Sequence, residues 1–183
     1  MVRIETPRLV LRPWDETDVP PFAAINADPE VMRWISDGSV RDEQQTRTLV
    51  AEIGELWDAE GYGLFAVEIR ETGELAGFTG LAVPRFLPEV MPAVEIGWRL
   101  GRSCWGRGLA TEAARAALRF AILERGLERL VSIVQVGNGA SERIMVKLGM
   151  RLDRETVAPG TGRPLRVYAI TADEYRAQDG PRD

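Results

Sequence analysis

Hydrophobic and polar positions change period several times along this chain, and the changes divide it into strands and helices. Residues 93–100 alternate, with Val94, Ile96, Trp98 and Leu100 on one side and Glu95, Gly97 and Arg99 on the other, which predicts a strand. Residues 101–108 break the alternation with Gly101, Gly106 and Gly108. From Leu109 the period becomes helical: Leu109, Ala113, Ala116, Ala117, Phe120 and Ala121 form a stripe that stops at Gly126, predicting a helix over 109–125. Upstream, residues 6–14 alternate as a first strand, and Asp15 and Asp18 are N-cap candidates before Pro20, Pro21, Phe22, Ile25 and Asn26. A short helical piece follows over 28–35. A polar helix over 42–60 is expected to bury Leu49, Ile53, Leu56 and Trp57 and to end at Gly61-Tyr62-Gly63. Residues 64–70 and 75–83 read as a hairpin around Glu71-Thr72-Gly73-Glu74. The loop over 84–92 carries Phe86, Leu87, Val90 and Met91, which either pack on the domain, cover a substrate or meet a second subunit. Residues 129–136 read as a strand, and Gly137-Asn138-Gly139-Ala140-Ser141 opens a short helix ending at Gly149. Strands over 151–157 and 165–172 close the pattern, and the chain from Glu174 is expected to fray.

Strands interspersed with helices and one hairpin imply a mixed α/β sheet rather than a purely parallel one. At 183 residues and 45% hydrophobic content the chain suits one domain, expected over 1–176 with a flexible tail over 177–183. No apolar run approaches the ~20 residues that span a bilayer. The opening Met-Val-Arg-Ile-Glu-Thr-Pro-Arg lacks a secretory hydrophobic segment, so a cytoplasmic location is expected. A formal charge of -5 disfavours a dedicated nucleic-acid binder. The one cysteine, Cys104, excludes an internal disulfide and a cysteine zinc cluster, and packing is its expected role. The chain has no histidine, which removes histidine triads, H-E-x-x-H metal sites and a histidine base together. No metal is expected, and proton transfer falls to carboxylate, hydroxyl, lysine or water.

Strand, glycine turn and helix start are the parts of an anion cradle. The first N–H groups of a helix have no partner inside it, the dipole favours negative charge, and glycines admit a phosphate without Cβ clashes. A P-loop needs G-x-x-x-x-G-K-[ST]; Gly101 to Gly106 has that gap, but Arg107-Gly108 follows, so the lysine and the magnesium-binding hydroxyl are missing. The dinucleotide pattern G-x-G-x-x-G is not met either, because Thr111 follows Gly106 and Gly108. Trp105-Gly106-Arg107-Gly108-Leu109-Ala110-Thr111-Glu112 resembles the acetyl-CoA pyrophosphate loop, [Q/R]-x-x-G-x-[G/A], of the GNAT N-acetyltransferase superfamily, with Ser103 in the Gln/Arg position. Asn138 to Met150 is similar to that superfamily's N-x-x-S-x-x-V-x-x-K-L-G-F signature. The opening Thr6-Pro7-Arg8-Leu9-Val10-Leu11-Arg12-Pro13 and the later Asp28-Pro29-Glu30-Val31 resemble the start of its RimJ/RimL-like subgroup, which contains ribosomal-protein alanine N-acetyltransferases.

The resemblance implies the GNAT fold: a mostly antiparallel sheet, flanked by helices, with a V-shaped splay between the strands at 93–100 and 129–136. It implies acetyl-CoA as co-substrate, its pantetheine arm in the splay beside Ile96 and Trp98. Its phosphates would lie on Trp105, Gly106, Arg107, Gly108, Ala110 and Thr111, with Asn138, Ser141 and Lys147 as further contacts and Arg102 as another cation in reach. Acetyl would pass to a primary amine by direct attack in a ternary complex. Glu95 is the candidate base, against the reading of a solvated or salt-bridged strand carboxylate. Gln135 is a candidate for orienting water or substrate. Many members place a tyrosine acid where this chain has Met145, so Ser141 is the candidate acid, against a helix-capping role. Three readings follow: acetylation of a protein N-terminal α-amine, acetylation of a small amine such as an amino acid, polyamine or antibiotic, and a catalytically silent acyl-CoA-binding module. The subgroup is compatible with a homodimer.

Overall fold

The computed structural model describes residues 2–178. Two short strands open it, β1 (Ile4–Glu5) and β2 (Leu9–Arg12). The expected strand over 6–14 is thus shorter, since Pro7 and Pro13 on either side have no N–H to give a ladder. Then come α1 (Val19–Asn26), α2 (Pro29–Met32), α3 (Glu43–Glu60), β3 (Leu64–Ile69), β4 (Leu75–Ala82) and β5 (Val94–Leu100). The chain continues through α4 (Leu109–Arg119), β6 (Arg129–Gln135), α5 (Gly139–Lys147), β7 (Arg151–Val157), β8 (Pro164–Thr171) and α6 (Ala172–Gln178). Among the described residues the strands form one sheet in the order β1-β2-β3-β4-β5-β6-β8-β7, and every neighbouring pair but β5–β6 is antiparallel. The mixed α/β sheet read from the pattern is therefore the fold.

The exceptional pair is also the incomplete one. β5 is laddered to β4 from Gly77↔Leu100 to Ala82↔Glu95, and β6 to β8 from Arg129↔Thr171 to Gln135↔Leu165. Between them β5 and β6 share only Val94↔Leu130 and Glu95↔Val131. Beyond Glu95 the two strands part. Each keeps its outer neighbour, so the main-chain groups facing the gap are left without strand partners, and such groups call for others.

α4 closes one face of the sheet. Leu109, Ala113 and Ala117 pack with Leu11, Phe65, Leu81, Ile96 and Leu100 in one core, the small alanines bringing helix and sheet close. On the other face Phe22 of α1 meets Phe78 of β4 edge-on, with ring centroids 5.9 Å apart. Arg12 ties α1 to the sheet edge, donating to Asp18 at 2.7 and 2.9 Å and to Glu68 at 2.7 Å.

Several expectations need correction. The helix predicted over 109–125 is α-helical only to Arg119; Phe120–Glu124 is a π-helical turn, which carries Phe120, Ala121 and Ile122 into the core together. In α3 only Thr46 and Ile53 are fully buried, and Leu49, Leu56 and Trp57 are half-buried. In the 84–92 loop Leu87 and Val90 are core residues against Val131, Leu165 and Val167, while Phe86 and Met91 stay exposed. Glu174 does not begin a frayed end: its Oε2 accepts from the N–H and hydroxyl of Thr171 and fastens the start of α6. Of the tail expected over 177–183, residues 179–183 lie outside the described residues.

Candidate active site

The turn between β5 and α4 is held from its edges, leaving its middle open. The Trp105 indole N–H donates to the Leu100 carbonyl at 2.8 Å, folding the turn back onto the end of β5. Gly106 and Gly108 take φ of +71° and +77°, in the left-handed region that side chains with a Cβ avoid. Gly108 is the N-cap of α4 and has no side chain to cap it. The first helical N–H to reach a carbonyl is that of Glu112, on Gly108 O at 3.1 Å. The amides of Leu109, Ala110 and Thr111 are thus the unpaired donors of a helix start. A Cβ placed on Gly106 would meet no atom within 4 Å, so the turn faces open space.

That space is a cavity of about 360 Å³, walled by Trp105, Gly106, Gly108, Ala110 and Thr111 on one side and by Asn138, Ser141 and Lys147 on the other. Trp98 also lines it. Ile96 and Arg107 do not: Ile96 is fully buried in the core, and Arg107 is exposed and offers its carbonyl to Arg8 at 2.8 Å. Arg102, expected near phosphate, is drawn away to Asp28, 2.7 Å from Oδ2. Lys147 and the unanticipated Arg143 supply positive charge in the cavity wall instead.

Arg8 and Thr6 clamp this turn from the N-terminal segment. Glu112 accepts from the Thr6 hydroxyl at 2.7 Å, from the Arg8 N–H at 2.9 Å and from Arg8 Nε at 2.6 Å. The pair is half in solvent, so its worth to stability is only about 0–1 kcal/mol. Its effect is positional: Arg8→Ala is expected to weaken acetyl-CoA binding about 5-fold with kcat at saturation little changed, measured by titration and steady-state kinetics.

A second cavity, of about 510 Å³, is lined by Glu95, Gly97, Ser132, Gln135, Met145 and Phe86 among others. Both cavities touch Trp34, Ile35, Trp98, Arg99, Asn138 and Ser141, so they meet along the gap between β5 and β6. Glu95 sits where pairing ends. Burial pushes its carboxyl up to about 7, with hydrogen bonding to the Ile133 main chain opposing the shift. Among the described residues it has no ion-pair partner, contrary to a salt-bridged carboxylate.

Capping of α5 falls to Asn138, whose Oδ1 accepts from the Ser141 N–H at 3.3 Å. The Ser141 hydroxyl is left for the cavities it lines. Met145 is buried, and its thioether has no proton to donate. Gln135 is occupied at both ends: its Nε2 donates to Ser36 O at 2.7 Å and its Oε1 accepts from Arg163 at 3.0 Å. It anchors the 34–37 loop to β6 rather than presenting a free amide. Cys104 is buried in the wall of the first cavity.

Two arginines that no sequence motif marks, Arg99 and Arg41, also line the second cavity. Arg99 is 9% exposed, donates to Asn26 Oδ1 at 2.7 Å and stacks over Phe78 with its Cζ 5.2 Å from the ring centroid. Its Nε has no partner. Desolvation, with the neighbouring charge of Arg41, lowers its pKa to about 9.

Residues 8–151 match the family model for the acetyltransferase (GNAT) domain. The chain belongs to the GNAT acetyltransferase family. It is similar to the uncharacterized protein YkkB of Bacillus subtilis, 34% identical over 91% of this chain and 94% of the relative. An acetyltransferase structure from Agrobacterium tumefaciens is 29% identical with a TM-score of 0.78, covering 93% of this chain and 94% of that one. The ribosomal L7/L12 alpha-N-protein acetyltransferase RimL, solved in complex with coenzyme A, has a TM-score of 0.77 at 20% identity, covering 94% of this chain and 99% of that one. At that identity it supports the GNAT fold and not the RimJ/RimL-like subgroup. The GNAT family implies acetyl-CoA as co-substrate, and the open turn, the uncapped amides of α4 and the unpaired strand edges fit a diphosphate followed by an amide-bearing arm. Among the described residues no cluster of His, Cys, Asp and Glu could hold a metal ion, and no helix is long and apolar enough to cross a membrane.

Proposed function

We propose that this protein is an acetyl-CoA-dependent N-acetyltransferase that transfers acetyl directly to a primary amine in a ternary complex. The observation that carries this reading is Glu95: a carboxyl held near neutral pKa where the pairing of β5 with β6 ends, in the wall of a cavity that shares Trp98, Arg99, Asn138 and Ser141 with the one formed by the open turn. Acetyl-CoA supplies a thioester, whose C–S bond breaks as the N–C bond forms. The acceptor arrives as an ammonium, whose first proton goes to Glu95 directly or through one water. The nitrogen sheds a second proton after attack, and the sulfur takes up one; Ser141, which lines both cavities, is our candidate donor or relay. Trp98, Trp105, Gly106, Gly108, Ala110, Thr111, Asn138 and Lys147 bind the CoA portion, and Ile96 contributes through its main chain alone.

For the acceptor, the protein N-terminal α-amine suggested by the opening segment rests on similarity to the RimJ/RimL-like subgroup. A small amine is the reading we favour, because a cavity of about 510 Å³ has the size of a small-molecule site. A free, buried cysteine suits a cytoplasmic enzyme. Thiol release from acetyl-CoA, followed across a panel of peptides and small amines, is expected to be amine-dependent. Tight CoA binding with no thiol release from any acceptor would leave only an acyl-CoA-binding module.

A further inference from the structure

The charge in the acceptor cavity is unbalanced. Its charged wall residues are Arg41, Glu95 and Arg99, and Glu95 is held toward its neutral form. Neither arginine has an ion-pair partner among the described residues, although thirteen other arginines do: Arg3, Arg8, Arg12, Arg33, Arg47, Arg70, Arg102, Arg119, Arg129, Arg151, Arg154, Arg166 and Arg176. Burying a guanidinium without a counter-charge is costly, and Arg99 receives only the neutral amide of Asn26 and the face of Phe78. Its Nε remains an orphan donor, which native interiors rarely tolerate. Arg41 lies on the same cavity and adds to the positive potential instead of relieving it.

Arg99 and Glu95 project from the same face of β5, four residues and about 13 Å of strand apart. Gly97 stands between them, and a Cβ there would meet nothing within 4 Å. The floor between base and guanidinium is therefore open, bounded at one end by a group that takes a proton and at the other by two that take an anion.

We infer that the acceptor is a small primary amine that also carries a carboxylate, an amino acid in the broad sense, with its carboxylate held by Arg99 and Arg41 and its amine toward Glu95. The inference rests on the acetyltransferase reading and narrows it. A polyamine would bring further positive charge against both arginines; a peptide with a neutral first residue would bring no carboxylate near its amine. Arg99 and Arg41 bind fork to fork with a carboxylate, filling the donor positions that the protein leaves open.

The test compares free amino acids, including ω-amino acids, with their amides, and spermidine and a neutral peptide amidated at its C-terminus with both. Expected is a preference for the acid of about 30-fold in kcat/KM, in keeping with hydrogen bonds to a charged group. That ratio is expected to fall toward one in Arg41→Ala and in Arg99→Gln, and to survive largely in Arg41→Lys, with acetyl-CoA affinity unchanged throughout. Arg41 is half-exposed, so its variant reads the subsite even if Arg99→Gln does not fold. A second readout needs no turnover: binding of N-acetyl amino acids against N-acetyl amino amides to the CoA-bound protein, by thermal shift. Preferential binding of the acids, lost in Arg41→Ala, supports the subsite even in a protein that turns nothing over, and then only the acetyltransferase reading fails. Equal use of acid and amide, a ratio unmoved in Arg41→Ala, a neutral peptide or spermidine matching the best acid, or an Arg99 variant that loses acetyl-CoA instead overturns the inference. So does the absence of both turnover and binding preference.

Discussion

Glu95→Gln is expected to lower kcat about 100-fold or more while leaving the dissociation constant of acetyl-CoA where it was. The size follows from what a positioned base contributes, about 10² to 10⁴ in rate, and the selectivity from its position in the second cavity rather than among the residues of the open turn. The pH profile supplies the specific signature. A carboxyl titrating at about 7 gives kcat/KM that rises with pH and levels off above that value, and the glutamine variant loses this limb. The same substitution is expected to stabilise the fold. A carboxyl raised from its ordinary 4.5 to about 7 binds more proton in the folded than in the unfolded chain across that window, so stability falls as pH rises through it. The penalty is absent below 4.5 and complete above about 7, where it reaches about 3 kcal/mol at about 1.4 kcal/mol per tenfold change in protonation. Glutamine removes it. Thermal melts of both proteins at pH 5 and pH 8 check this: the gap in Tm favours the variant and widens at the higher pH. An unaltered rate at saturating substrates removes Glu95 as base.

The elements that were legible in advance are those whose order is local. The alternation through Glu95, Gly97 and Arg99, the glycine turn and the stripe from Leu109 each depend on residues a few positions apart, and β5, the turn and the start of α4 lie where those patterns put them. The identity of the gap was legible only through family resemblance, because nothing in the alternation of 93–100 says that β6 pairs with its first residues and then leaves. What escaped was set by distant partners. An arginine on an alternating strand reads as a solvated charge, since burying one is costly; here Asn26, 73 positions away, and Phe78 make the interior site. Arg102 fails for the converse reason: it is adjacent to the phosphate turn in sequence, but Asp28, 74 positions away, decides where its side chain points. Asn138 and Ser141 were both candidates for capping and for chemistry, and only the hydrogen bond between them separates the roles. The π-turn after Arg119 has no local signature either: it lets Phe120 reach Trp57 and Phe65, with ring centroids 6.1 and 5.4 Å away.

Gly106→Glu is expected to raise the dissociation constant of acetyl-CoA about 100-fold or more without unfolding the protein. Two costs act on the bound state and only one on the free protein. In the free protein a side chain at φ +71° carries a strain of about 1–2 kcal/mol, and because no atom lies within 4 Å of the new Cβ there is no clash to add to it. A loss of a few degrees in Tm is therefore the expected extent of the damage. In the complex the carboxylate stands beside the amides of Leu109, Ala110 and Thr111, where it competes for the donors that a diphosphate would use and repels its charge. Gly106→Ala separates the two costs, since it keeps the strain and omits the charge, and its loss of affinity is expected to be several-fold only. Raising the salt concentration screens the repulsion and narrows the difference between the two variants. Calorimetry at low and moderate ionic strength distinguishes this from a merely structural turn: if Gly106→Glu binds acetyl-CoA as tightly as the unaltered protein, the diphosphate lies elsewhere, and the open helix start of α4 has another use.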